Sequence, residues 1–442
     1  MSGNEALERT EGEKISPRRF SLLSKIGMAV FFCCVTGIVA IAWRQSGPAA
    51  IFKGIEARGG LVVREPTAAM KLIGDLIPGM RSRRDGKSGI VNSLTVLDAT
   101  EEEIRLLGSV SSITNLRMFR GRVTESLLET LRGLPNLTSL TLYDFNLTDE
   151  ELKQVIDSLP HPEKLIYIGL RNTNLTDAGL ASLGKCTSLT RLYIDGSKID
   201  GSGFSKLAGP SLFFLNLTNS EVTDKNLNGI VKSVGGKLST LQLDGSRITD
   251  EGLIVLRGVP NLGGLGVGGT EVTPHGLSEL MKRRPLLTLS LRELPWTMND
   301  LTSLPLGAKF GYLDLSDWKI TDESLKSIPD LPNLSGIDLS GCGISDAGLT
   351  ELARFPRLTY VRLDQTKVTL SGVLQLTKQT KLHGVSVGQS GVDYAALLAA
   401  PSLGTLQGGN LDGMNLTNEQ LRELSRKHPT CTFRADDRIF IP

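Results

Sequence analysis

Between Leu334 and Leu358 the chain reads LSGIDLSGCGISDAGLTELARFPRL, and its apolar residues change period halfway. Ile337 and Leu339 alternate with Gly336, Asp338 and Ser340, the period of two that a half-buried strand requires. After Ile344 the period lengthens. Ser345 suits a helix N-cap, Asp346 suits the positive end of a helix, and Leu349 and Leu352 recur at i, i+3 before Pro356. The pattern predicts a short strand and then a helix. Such a unit leaves the apolar face of both elements bare, so it is stable only between copies of itself.

Copies run through most of the chain. The residue equivalent to Ile337 recurs at Leu94, Leu116, Leu140, Ile168, Leu192, Leu215, Leu241, Leu265, Leu289, Leu313, Val361, Val385, Leu406 and Phe433, and 24 residues is the commonest interval. The following loop is spelled NLTDEEL from Asn146, NLTDAGL from Asn174, EVTDKNL from Glu221, RITDEGL from Arg247 and KITDESL from Lys319. These spellings resemble the leucine-rich repeat family in its cysteine-containing, ribonuclease-inhibitor-like form. The resemblance implies an α/β right-handed leucine-rich repeat solenoid (horseshoe) over residues 90–442, with about 15 strand-helix rungs whose strands line a concave face.

The amino terminus is of another kind. Residues 1–25 are polar, with Lys14, Arg18, Arg19 and Lys25 closest to the next segment. Ile26 to Trp43 then runs 18 residues without a charge, near the shortest stretch that crosses a ~30 Å hydrocarbon core. This predicts a transmembrane signal anchor ending at Ile26 and Trp43, and the basic bias before it favours repeats outside the cytoplasm. Ala40-Ile41-Ala42 also has the form of a signal-peptidase site, which leaves a cleaved leader as the alternative. Residues 44–89 read as a linker and amino-terminal cap, with short helices at 50–57 and 68–77 and a strand at 61–63. That order resembles bacterial membrane-anchored leucine-rich repeat proteins, which implies an extracytoplasmic solenoid and no particular activity.

Composition narrows the function classes. With 49 basic and 47 acidic residues the net charge is +2, so bulk electrostatics give no case for nucleic acid. Of the five cysteines, Cys33 and Cys34 fall in the apolar segment, and Cys186, Cys342 and Cys431 belong to rungs too far apart to pair. His161, His275, His383 and His428 are scattered, and no hydrolase, zinc or phosphate-binding motif occurs. The aspartates of the T-D spellings sit at helix starts, where capping accounts for them. Catalysis, a cofactor and a metal are therefore not expected.

Candidate chemistry lies at the strand positions flanking each marker. Five of the six tyrosines fall there. Strand preference explains part of this excess, and the enrichment of tyrosine at recognition surfaces offers the other explanation. Two groups stand out: Tyr143, Tyr167, Arg171, Arg191, Tyr193, Asp195 and Phe214, then Tyr312, Asp314, Asp338, Tyr360, Arg362 and Asp364. Between them Gly264, Gly266 and Gly268 suggest either a bare groove floor or a weakly specified strand. The expected partner is a protein, peptide or envelope polymer on the concave face, with the membrane engaged through Ile26–Trp43. The I-T-D-x-G-L spelling is also similar to that of ubiquitin-ligase substrate receptors, but residues 1–90 leave no room for their adaptor-binding helices. A passive structural envelope protein is the third reading.

Overall fold

The computed structural model describes residues 62–64, 91–97, 100–207, 211–307, 309–436 and 438–440. The Ile26–Trp43 span and the two short helices expected at 50–57 and 68–77 lie outside them. Among the described residues no helix is long and apolar enough to cross a membrane.

The described residues build one sheet of 17 strands. Fifteen are parallel and stack in chain order from Val91–Leu97 to Thr432–Ala435, each marker opposite the next, as Leu313, Ile337 and Val361 are. All three of those markers are fully buried at 0% exposure, on the side of the sheet that faces the helices. Antiparallel strands close both ends. Val62–Arg64 pairs with the first, near the strand expected at 61–63, and Arg438–Phe440 pairs with the last. The second of these has only the short R-I-F run as its signal.

Two expectations need correction. In the fourteenth rung the strand is Gly408–Asn410, and Gly409, not Leu406, pairs with Val385 and Phe433. A glycine is silent in an apolar pattern. Here the Phe433 ring fills its place, lying 3.3 Å from where a Cβ on Gly409 would sit. The second correction concerns the helices. Gly179–Lys185, Ser202–Lys206 and Ser324–Ser327 are 3-10 turns rather than α-helices. In the first of them the buried Leu180 and Leu183 stand three apart, which a three-residue turn stacks directly.

Turn chemistry repeats as strictly as the strands. Four residues after the marker, every rung from that of Leu116 to that of Gly409 passes through the left-handed region, for example at Asn172, Gly245, Gly341 and Gln365. One position later stand small residues whose hydroxyls can bond the backbone of a tight turn. Ser197, Thr270 and Thr366 do so, donating to carbonyls three residues earlier. The buried hydroxyls of Thr173, Ser220 and Ser246 have no partner.

The T-D-x-G-L spelling acquires a different meaning from capping alone. The aspartate of one rung reaches the threonine of the next. Asp224 Oδ1 accepts the Thr249 N–H at 2.9 Å and Oδ2 accepts the Thr249 hydroxyl at 2.7 Å. Thr249 in turn accepts the Glu251 N–H, so the same hydroxyl caps its own helix and holds the previous rung. Asp149 binds Thr176, Asp250 binds Thr273, Asp322 binds Ser345 and Asp346 binds Thr369 in the same two-point way. Asp177 accepts three backbone N–H groups, from Asp200, Gly201 and Gly203. The glycine of the motif makes the room. A Cβ on Gly252 would lie 2.4 Å from Asp224 Oδ1, and one on Gly348 the same distance from Asp322 Oδ1.

This geometry makes a double-mutant cycle decisive. Asp224→Ala is expected to cost about 2–4 kcal/mol, because two charge-assisted hydrogen bonds go and the Thr249 amide loses its acceptor. Gly252→Ala should destabilise the wild type by driving its Cβ into Asp224. In the Asp224→Ala background the same change should be neutral or stabilising by up to about 1 kcal/mol, since only the helix preference for alanine remains. Chemical denaturation of the four proteins checks this; equal effects of Gly252→Ala in both backgrounds would refute the clamp.

Candidate interaction surface

The residues on either side of each marker point to the opposite face of the sheet from the core. On this open face the first predicted group comes together. Phe119 meets Tyr143 edge-on at 5.5 Å, and the Tyr143 and Tyr167 hydroxyls are 3.4 Å apart. Tyr167 and Tyr193 follow at 5.2 Å, then Tyr193 and Phe214 stack at 4.6 Å. Five consecutive strands thus carry one run of aromatic rings. Arg171 pairs with Asp195 at 3.3 Å beside it, while Arg191 stays exposed. Burial pushes the Asp195 carboxyl above the usual range, against the pull of Arg171. Burial likewise raises the Tyr193 hydroxyl to about 12. Phe119 belongs to the run but lies in an earlier rung than those singled out by sequence.

The second predicted group is tied by charge. Arg362 bridges Asp338 at 3.3 Å and Asp364 at 3.4 Å. Asp338 is only 3% exposed, and burial together with the neighbouring Asp314 raises its carboxyl despite Arg362. Ser386 donates to Asp364, as does the Gly388 N–H, so the exposed end of the ladder is also satisfied. Sequence reasoning missed that the cluster extends three rungs further back. Ser290 donates to Asp244 at 2.6 Å and lies 3.1 Å from Asp314, linking the group to a carboxylate that is 4% exposed. Asp244 is pushed up to about 6, chiefly by burial, with the Ser290 and Gly268 hydrogen bonds opposing the shift.

Glycine proves to be the partner of the larger side chains on this face. A Cβ on Gly336 would sit 2.8 Å from Tyr312 Cδ2, and one on Gly384 the same distance from Tyr360 Cδ2. Tyr143 and Tyr167 crowd Gly169 in the same manner. Tyr143, Tyr312 and Tyr360 therefore each lean across a neighbouring strand at a position that offers no side chain. The Gly264–Gly266 strand and Gly268 beyond it are not a bare floor either. Gln242 and Asp244 would meet a Cβ on Gly266 at 1.8 Å and 2.1 Å, and Arg292 would meet one on Gly268 at 2.3 Å. The glycines are where their neighbours' polar side chains lie.

Asp244 gives this face a pH signature. Its folded pKa stands above the ~3.9 of an unfolded aspartate, so the native state holds the extra proton between about pH 4 and 6. Stability contributed by the protonated form is present below pH 4 and is lost as the pH rises through 6. The loss is at most about 3 kcal/mol. Asp244→Asn should remove this slope, so the wild type gains on the variant as the pH falls from 7 to 4. Denaturant midpoints across that range check it, and a constant difference would contradict the assignment.

Residues 331–353 match a family model described as a leucine rich repeat. They cover most of the unit that contains Ile337. No curated protein matches the sequence. Among solved structures, an internalin from Listeria monocytogenes str. 4b F2365 aligns over 80% of this chain and 96% of its own at 19% identity and a TM-score of 0.35, a likeness too loose to carry function. Residues 331–353 thus carry a leucine-rich repeat unit by sequence, and the fifteen parallel strands repeat its strand along the described residues.

Proposed function

We propose that this chain is a membrane-tethered, non-catalytic interaction module that binds a protein or peptide partner through the concave face, at Tyr312, Tyr360 and the charges around them. Ile26–Trp43 is the tether, and the repeats lie outside the cytoplasm. The observation that carries the reading is Tyr360. At 37% it is the most exposed aromatic of the two groups on the open face; Phe213, at 50%, stands just before its strand and outside both groups. Its ring leans over Gly384, with Arg362 two residues away. A tyrosine and an arginine on a backbone fixed by parallel strands match the chemistry of interface hot spots. The Phe119–Phe214 run supports this role less well. Its rings are engaged with one another, edge-on at Phe119–Tyr143 and stacked at Tyr193–Phe214, and each is less exposed than Tyr360.

Asp338 and Asp364 hold Arg362 in place while its side chain stays 42% exposed. A partner carboxylate or backbone carbonyl is the natural complement. Fixing both side chains before the partner arrives lowers the ordering cost of binding.

A membrane-impermeant crosslinker applied to intact cells tests tether, side and surface together. The full chain should capture a partner, and Tyr312→Ser/Tyr360→Ser should lose that capture by at least tenfold while melting within a few degrees of wild type. Capture by a permeant reagent alone would place the repeats in the cytoplasm and sink the extracytoplasmic reading. Unchanged capture by the double variant would remove this patch as the site.

A further inference from the structure

The rungs of Leu289 and Leu313 depart from their neighbours in three ways, and the departures coincide. First, the inter-rung clamp is missing. Thr273 is followed by Pro274, and Thr297 by Met298, at the position that Asp224, Asp250, Asp322 and Asp346 fill in nearby rungs, and Thr297 is instead capped by Asp300 of its own rung. Thr321, one rung on, bonds only Ser324 beside it. Second, a cavity of about 710 Å³ opens where the clamp is absent, within the size range of small-ligand sites. Third, both tryptophans of the described residues line it. Trp296 and Trp318 meet edge-on at 6.4 Å, and Trp318 is fixed by donating to the Leu291 carbonyl at 2.6 Å.

The polar lining is equally selective. Glu293 and Asp317 occupy the left-handed turn position, at φ 55° and 63°. The rungs on either side use Gly269 and Gly341 there, which adopt that conformation without strain. Two carboxylates thus stand at the cavity's rim where the rungs on either side carry glycine. Asn299 and Lys319 add donors to the same lining. Arg292 pairs with Glu293, so neither sign of charge dominates.

We infer that this cavity binds a sugar unit of a neutral glycan, at a site separate from the Tyr312–Tyr360 patch. The C–H face of a pyranose packs against Trp296, which is half-buried and keeps part of its ring open. Its hydroxyls both donate and accept. They therefore satisfy Glu293, Asp317, Asn299 and Lys319 at once, whereas a cationic ligand meets Lys319 and an anionic one meets both carboxylates. Hydrogen bonds from neutral hydroxyls to charged groups are stronger than those between neutral groups, which suits a site that must compete with water.

Tryptophan emission reads this site directly. In the full chain carrying Trp43→Phe, the two remaining tryptophans are those of the cavity. Titration with cellohexaose, chitohexaose or maltohexaose should shift the emission saturably for at least one of the three. Trp296→Ala should weaken that glycan's binding at least tenfold by calorimetry, and Asp317→Asn several-fold. Tyr360→Ser should leave it unchanged, which separates this site from the proposed partner surface. No saturable shift with any of the three, a shift produced only by tri-arginine or tri-glutamate, or glycan binding that survives Trp296→Ala would each overturn the inference.

Discussion

The rest of this structure depends on a carboxylate of one rung held by the amide and hydroxyl of the next. Parallel strands and apolar columns place neighbouring rungs side by side, but non-directional packing leaves the helical side free to slide. The pair Asp224–Thr249, and its equivalents from Asp149 to Asp346, adds direction. A charged acceptor takes two short hydrogen bonds from a residue that also begins the next helix. In the rungs that carry it, this one contact ties the helix start to the preceding rung, and the motif glycine beside it is required by the size of a carboxylate.

This arrangement frees the opposite face. Because the core columns and the clamps lie on the helical side, strand positions on the open face are under no comparable demand. They carry aromatic stacks, an arginine held between aspartates, and glycines over which larger neighbours lean. Interruptions of the clamp are informative for the same reason. Where Pro274 replaces the aspartate and Asp300 turns back on its own rung, the lining changes to tryptophans and carboxylates, and space for a ligand appears.

The solenoid was legible because it is written in apolar spacing. A fixed interval between leucines states the strand, the helix and the number of copies at once. The misreadings have physical sources. Gly409 is a core position filled by a neighbour's ring, so no apolar residue marks it. The aspartates of the motif look like helix caps because a cap and a clamp need the same residue at the same place. Only the distance to the next rung separates the two. Tyr312, Tyr360 and Arg362 were visible as candidates since they alternate with buried residues. Asp244 was not, because its link to Asp314 passes through Ser290 and crosses three rungs. The cavity was hidden for a related reason: it arises from bonds that two rungs fail to make.

Native-state hydrogen exchange tests the central claim most directly. The amides of Thr249, Thr273, Ser345 and Thr369 donate to aspartates of the preceding rung, and those of Thr297 and Thr321 bond only within their own. If the clamps hold the rungs together, the first four should exchange only with unfolding of a whole block of rungs. Thr297 and Thr321 should open at a lower free energy, making the Leu289–Leu313 region a boundary between cooperative blocks. Uniform protection across all six amides would contradict the account.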